Sequence, residues 1–209
     1  MPSAFPGPAY RIVTPRLVLR CWNPQDAPLL KNAVQANVDH LLPWLPFARN
    51  EPEELQVKIE RMRHWRSRFD SDGDYVYGIF NAEESRVVGG TGLHKRVGDQ
   101  AFEIGYWIDQ ELINQGYATE VSAALVKTAF EIMGARRIEI HCDPLNHRSA
   151  AVPRKLGFIH EATLRERFPT SESQWTDIMI WSIFAGDYPQ SPAQQIKIQA
   201  FDSANRQIM

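Results

Sequence analysis

The chain has 209 residues, 44% hydrophobic and 23% charged, which fits one globular domain with a sizeable core. Its net charge of -2, with acids and bases interleaved, speaks against a broad nucleic-acid-binding face but leaves room for a small anionic ligand at one local site. No apolar run reaches bilayer-spanning length, and Cys21 and Cys142 lie in strand-like runs without metal-ligand spacing, so a cytoplasmic protein with reduced thiols, no membrane contact and no metal is expected.

Residues 1–9 read as a loose arm. They are rich in proline and small residues and lack the basic and apolar segments of a signal peptide. Alternation predicts a strand over 16–20. A helix follows from Pro24, with Leu29, Leu30, Ala33 and Val34 on one face. Residues 40–47 hold Pro43 and Pro46 and cannot continue a helix. A second, highly charged helix is expected over 51–69, with Leu55, Ile59, Met62 and Trp65 at helical spacing. Strands are read at 75–80, 87–93 and 102–108, separated by polar turns. Residues 119–133 carry a buried stripe of Val121, Ala124, Leu125, Thr128, Ala129 and Ile132, and Gly134 stops that helix. A strand at 137–142, a short helix at 146–156 stopped by Gly157, and strands at 158–164 and 177–184 close the domain, taken as 10–185. Residues 186–209 read as a weakly packed polar tail, although the alternation over 196–201 suits an edge strand or a partner contact. An antiparallel meander feeding one βαβ crossover makes an α/β (α+β) fold with a mixed sheet, not a doubly wound one.

The junction between the 102–108 strand and the following helix holds Asn114, Gln115, Gly116, Tyr117, Ala118 and Thr119. A helix N-terminus offers unpaired N–H groups and a partial positive charge, and glycine lets the backbone approach an anion. Such a loop is a phosphate cradle, or a plain strand-to-helix turn. Rival phosphate motifs fail. No Gly-Lys-Ser/Thr is present, and the Gly90-Thr91-Gly92 run leads to a turn and another strand, not a helix.

Four segments, the loop among them, stand in order: Glu103-Ile104-Gly105-Tyr106-Trp107-Ile108, Gln115 to Glu120, Asn146 with Ser149, and Lys155-Leu156-Gly157-Phe158. Together with Thr14-Pro15-Arg16-Leu17 and Leu42-Pro43-Trp44, they resemble the GNAT superfamily, most closely its RimJ/RimL-type branch of ribosomal-protein N-acetyltransferases. The resemblance spans roughly residues 10–184. It implies a twisted, mostly antiparallel sheet flanked by helices, with two splayed central strands. It also implies acetyl-CoA as cofactor, its pantetheine pairing with the backbone of Trp107 and Ile108. The pyrophosphate would rest on Gln115, Gly116, Tyr117, Ala118 and Thr119, and Asn146 would bond the pantetheine arm. Two departures stand out. Ile113 occupies a position where the family usually has Gln or Arg, so backbone N–H groups must hold the anion. Pro153 stands where many relatives carry a tyrosine acid. Proline frees the carbonyl of Ser149 from its helical bond, and Ser149 becomes the candidate for hydrogen-bonding the departing thiolate.

Acetyl transfer to an amine needs a neutral amine, a donor for the carbonyl oxygen and a stabilised leaving sulfur. Glu103 is the first candidate base and His94 the second. His141 and Asp177 read as structural. His40, Trp44 and Phe47 either wall an acceptor site or plug the core, and Trp65 and Trp175 read as packing residues. The implied acceptor is a protein N-terminal amine. A small-molecule amine or a non-catalytic acyl-CoA-binding role remains open, as does monomer versus homodimer, because fold and motifs do not fix the acceptor.

Overall fold

The computed structural model describes residues 7–169 and 175–209. Among them nine strands form one sheet: β1 (Arg11–Val13), β2 (Leu17–Cys21), β3 (Tyr75–Asn81), β4 (Val87–His94), β5 (Ala101–Ile108), β6 (Arg137–Cys142), β7 (Ile159–Pro169), β8 (Trp175–Phe184) and β9 (Gln199–Phe201). Five α-helices accompany it: α1 (Ala27–Gln35), α2 (Val38–Leu41), α3 (Leu55–Asp70), α4 (Tyr117–Glu131) and α5 (His147–Lys155). The strand order is β7-β8-β6-β5-β4-β3-β2-β1-β9.

Every neighbouring pair is antiparallel except β5 and β6, which α4 joins as a crossover. That parallel pair runs only through Ala101↔Arg137, Phe102↔Ile138 and Glu103↔Glu139. Beyond Glu103 the two strands part, so residues 104–108 of β5 keep β4 on one side and lose β6 on the other. This is the mixed sheet with splayed central strands that the motifs imply.

Alternation sorts the strands onto two cores. On one face, Phe102, Ile104, Ile138 and Ile140 meet the stripe of α4, where Val121, Ala124, Leu125, Thr128, Ala129 and Ile132 are all buried as the 3.6-residue spacing requires. On the other face, Val18, Trp22, Phe80 and Val87 meet Leu30 and Val34 of α1 and Met62 of α3.

Helix α3 begins at Leu55, later than the charged periodicity predicts. The residues before it fold back to serve a buried cation instead. Lys58 is fully buried, its ammonium bonded to Glu51 and, at 3.1 Å, to Glu53, which also takes Arg61. A buried charge that loses its partner is costly. Lys58→Ala strands Glu51, whose side chain is only 2% exposed. The expected loss of stability is about 3–5 kcal/mol. A urea midpoint equal to the wild type's would overturn this reading of the pair.

The C-terminal tail packs more tightly than its polar composition suggests. Tyr188, Ala193 and Ala200 are buried, and Tyr188 stacks on Phe130 at 4.9 Å. Ser191 donates to the carbonyl of Leu156 at 2.6 Å. The turns at Tyr188–Gln190 and Pro192–Gln195 use their prolines to lay this segment along α4, and β9 then pairs with β1 as the edge strand that the alternation allowed. At the other end, residues 1–6 lie outside the described residues. Pro8 and Ala9 are buried rather than loose, and Tyr77 donates to the carbonyl of Ala9 at 2.8 Å.

Candidate active site

The chain leaves β5 through a short 3-10 turn and enters α4 at Gly116, whose φ is +83°. A Cβ is disfavoured in that left-handed conformation, which explains why glycine stands there. A Cβ built at Gly116 would meet only the Arg16 guanidinium, at 3.6 Å. The first helical bond runs from Glu120 N–H to the Gly116 carbonyl, and no side chain caps the helix. Among the described residues, nothing accepts from the backbone N–H groups of Gln115, Gly116, Tyr117, Ala118 and Thr119. The helix starts two residues earlier than expected because the left-handed glycine makes the whole turn, and these donors gather at its positive end.

Sequence reasoning left this loop to its backbone alone, and the structure adds Arg16. The tight turn at residues 14–17 carries its guanidinium to the loop. There Nε bonds Glu120 at 2.6 Å, Nη1 bonds the carbonyl of Gln115 at 3.0 Å, and the guanidinium lies 4.1 Å from the centre of the Tyr117 ring. Thr14 ties into the same carboxylate at 2.6 Å. Arg16 spends its charge on Glu120 and holds the carbonyl side of the loop. Only its place in the Thr14-Pro15-Arg16 motif hinted at this role.

The second element is the open edge of β5. Asp109 N–H donates to the Val88 carbonyl in the β4–β5 register, and the Thr91 hydroxyl donates to the Gly105 carbonyl at 2.7 Å. Strand alternation therefore turns the backbone of odd-numbered residues toward β4 and that of Ile104, Tyr106 and Ile108 toward the gap. By this register the Trp107 carbonyl lies against Gly89, on the β4 side of the strand. The backbone of Tyr106 and Ile108 faces the gap.

Across the gap stands α5. Asn146 caps it, its side-chain oxygen accepting from Ser149 N–H at 3.1 Å. Pro153 has no N–H, so the Ser149 carbonyl lacks a helical partner. Tyr106 fills that vacancy, its hydroxyl 3.1 Å from the Ser149 carbonyl and 3.0 Å from Ser149 Oγ. Burial raises the Tyr106 pKa, against the hydrogen bond from Ser149, so the phenol stays protonated and able to donate. Burial likewise pushes the neighbouring Cys142 thiol up to about 11, against the opposing pull of the nearby Ser149 and Trp181 side chains, and keeps it uncharged.

A polar cluster covers the other face of the sheet at the fork. Glu103 is buried and both its oxygens are taken by Arg96, at 2.7 and 2.6 Å. His141 Nδ1 lies 3.5 Å away while its Nε2 sits 2.6 Å from Glu139. Burial works to raise the Glu103 pKa, but the Arg96 hydrogen bonds and the charges of His141, Arg96 and His94 outweigh it and hold the carboxyl below its ordinary range. That makes Glu103 a weak proton acceptor.

His94 presents the opposite situation. Its Nδ1 lies 3.0 Å from Asp74, whose other oxygen accepts from Lys95 N–H at 3.2 Å. Burial would raise the Asp74 pKa, but the hydrogen bond and charge of His94, the Lys95 N–H and the charge of Arg68 bring it down, so the carboxylate stays ionised. When the ring is neutral, an ionised partner at Nδ1 holds its one proton there and leaves Nε2 as the acceptor. The ring lies over Gly92 and Gly105, which face each other across β4 and β5. A Cβ on Gly92 would come within 2.7 Å of Nε2, so glycine is what makes room for the imidazole. Gly105 lies just past the last β5–β6 pair, which places His94 at the mouth of the fork.

The remaining candidates divide. Burial and the charge of Arg148 lower the His40 pKa, against the Ile108 backbone and the charge of Asp109. Asn37 anchors this region, accepting from Gln110 N–H at 2.7 Å. Phe47 packs on the α1/α3 core, Trp65 packs there beside Trp22, and Asp177 braces the β7–β8 hairpin through Glu166 N–H. Trp175, expected to pack, is 58% exposed at the hairpin end.

Comparison with known proteins follows the same lines. Residues 16–159 match the family model of the acetyltransferase (GNAT) domain. The [ribosomal protein uS5]-alanine N-acetyltransferase of Escherichia coli is 25% identical over 87% of this chain and 94% of its own length. The uncharacterized N-acetyltransferase YnaD of Bacillus subtilis is 28% identical, over 79% of this chain and 92% of its own. Among solved structures, RimL, a ribosomal L7/L12 alpha-N-protein acetyltransferase in complex with coenzyme A, superposes with a TM-score of 0.75 at 21% identity, covering 82% of this chain and 96% of that one. The chain belongs to the GNAT acetyltransferases, in their RimJ/RimL-type branch, and is an acetyltransferase enzyme.

Proposed function

We propose that this enzyme uses acetyl-CoA to acetylate the N-terminal amine of a protein, by direct attack while both substrates are bound. The observation that carries the reading is the run of five N–H groups at residues 115–119 without an acceptor among the described residues, followed by the open edge of β5 leading to Ser149. The uS5-alanine N-acetyltransferase relative supports a protein acceptor.

The donors of Gln115, Gly116, Tyr117, Ala118 and Thr119 suit the pyrophosphate, the gap-facing backbone of Tyr106 and Ile108 suits the pantetheine, and the amide nitrogen of Asn146 is spare for the arm. Bound there, acetyl-CoA supplies an activated acyl thioester, whose acetyl carbon bonds to the amine nitrogen as the C–S bond breaks and CoA leaves as the thiol. His94 Nε2 takes the proton that keeps the acceptor from being a nucleophile, and Asp74 steadies the resulting imidazolium. Glu103 keeps Arg96 and His141 in place at the fork and has no proton to exchange. Ser149 Oγ donates toward the departing sulfur, oriented by Tyr106.

A panel of N-terminal peptides and small amines, read by free-thiol release, tests the reading; turnover of small amines alone would move the acceptor out of the protein class. Ser149→Ala separates leaving-group stabilisation from binding. We expect kcat to fall about 10²-fold with KM for acetyl-CoA nearly unchanged. A raised KM with intact kcat would make Ser149 a binding group only.

A further inference from the structure

A cavity of about 310 Å³ opens beside His94, lined by His64, Trp65, Arg68, Asp74, Lys95 and Arg96. Its floor is the Asp74–His94 pair, and its walls come from the last turns of α3 and the turn after β4. The charges facing it are unequally spent. Arg96 closes on Glu103, and Asp74 is engaged by His94 and by Lys95 N–H. Asp72, on the connecting turn, takes the Tyr75 hydroxyl at 3.0 Å.

Arg68 and Lys95 are different. Among the described residues, Arg68 donates only to the carbonyl of Gly73, at 3.0 Å, and Lys95 Nζ only to the carbonyl of Asp72, at 2.9 Å. Neither forms a salt bridge, whereas nearby Arg66 and Arg96 both close on carboxylates. Each cation is thus held by one backbone carbonyl rather than closed on a carboxylate, and the Arg68 charge acts on Asp74 only from a distance. The indole of Trp65 adds an apolar part to the lining.

We propose that this cavity is the acceptor subsite and that it selects an amine whose following residues carry carboxylates, an acidic N-terminal peptide. The inference rests on the acetyltransferase reading above and names its substrate class. An acidic peptide entering here sets its amine near His94 while its carboxylates meet Arg68 and Lys95, whose guanidinium and ammonium groups are suited to such charge-assisted bonds. The same cations disfavour protonation of the approaching amine, which helps the neutral form that attacks. Basic peptides and polyamines meet repulsion at the mouth.

The test uses the full chain and three peptides with an N-terminal alanine followed by two glutamates, two glutamines or two lysines. Thiol release should rank them in that order, with kcat/KM for the acidic peptide at least about tenfold above the basic one, carried mainly by KM and weakened by salt. The double variant Arg68→Glu with Lys95→Glu should invert the order. Equal rates for the three peptides, or an order unchanged in the double variant, would overturn the proposal while leaving the enzyme an N-acetyltransferase. A second arm measures fluorescence anisotropy of the same peptides labelled at the C-terminus, with no turnover required. Preferential binding of the acidic peptide that is lost in the double variant supports the subsite even if no thiol is released, in which case it is the catalytic reading that falls. Indifferent binding overturns the subsite whatever the rates.

Discussion

Gly116→Glu is expected to abolish measurable acetyl-CoA binding in isothermal calorimetry, a weakening of at least about 10³-fold, or roughly 4 kcal/mol. Two effects add. The residue sits at φ +83°, where a side chain other than glycine or asparagine costs about 1–2 kcal/mol. The larger effect is electrostatic: a carboxylate placed among the free N–H groups of residues 115–119 takes the donors itself and repels an incoming diphosphate. Gly116→Asn separates the two. Asparagine tolerates the left-handed conformation and carries no charge, so it should lose only about tenfold. Circular dichroism should find both variants folded. Retained binding by the glutamate variant would sink the cradle.

How far this site can be read from the sequence depends on how local each feature is. The buried stripe of α4, the stop at Gly134 and the freed carbonyl at Ser149 follow from spacing and from the chemistry of proline within one element. The loop at Gly116 is legible because a strand, a glycine and a helix follow one another in the chain. Arg16, Tyr106 and Asp74 were not legible. Their partners lie 104, 43 and 20 residues away, and residue type alone carries no sign of such pairing. Trp107 shows a different limit: alternation identifies a strand but not which of its backbone groups the neighbouring strand consumes, and that is fixed only by the register with β4. The tail was misread because two prolines and polar composition suggest a loose end, while burial of Tyr188 and Ala200 depends on α4 and β1 being there to receive them.

The choice of base illustrates the same limit and gives the sharpest kinetic test. Glu103 and His94 are directly paired across β4 and β5, so position does not separate them. Their partners do. Arg96 occupies both oxygens of Glu103 and holds it ionised, whereas Asp74 occupies only Nδ1 of His94 and leaves Nε2 toward the fork. His94→Gln is therefore expected to lower kcat/KM for the acceptor by about 10²–10⁴-fold and to remove the acid limb of its pH profile. Asp74→Asn should keep that limb while lowering the rate, because the amide no longer holds the imidazole in the tautomer that accepts at Nε2. Glu103→Gln should also keep the acid limb, since it frees Arg96 without touching the proton acceptor. If instead Glu103→Gln flattens the profile and His94→Gln leaves it intact, proton removal belongs to the carboxylate, and the Arg96 clamp must open when the acceptor binds.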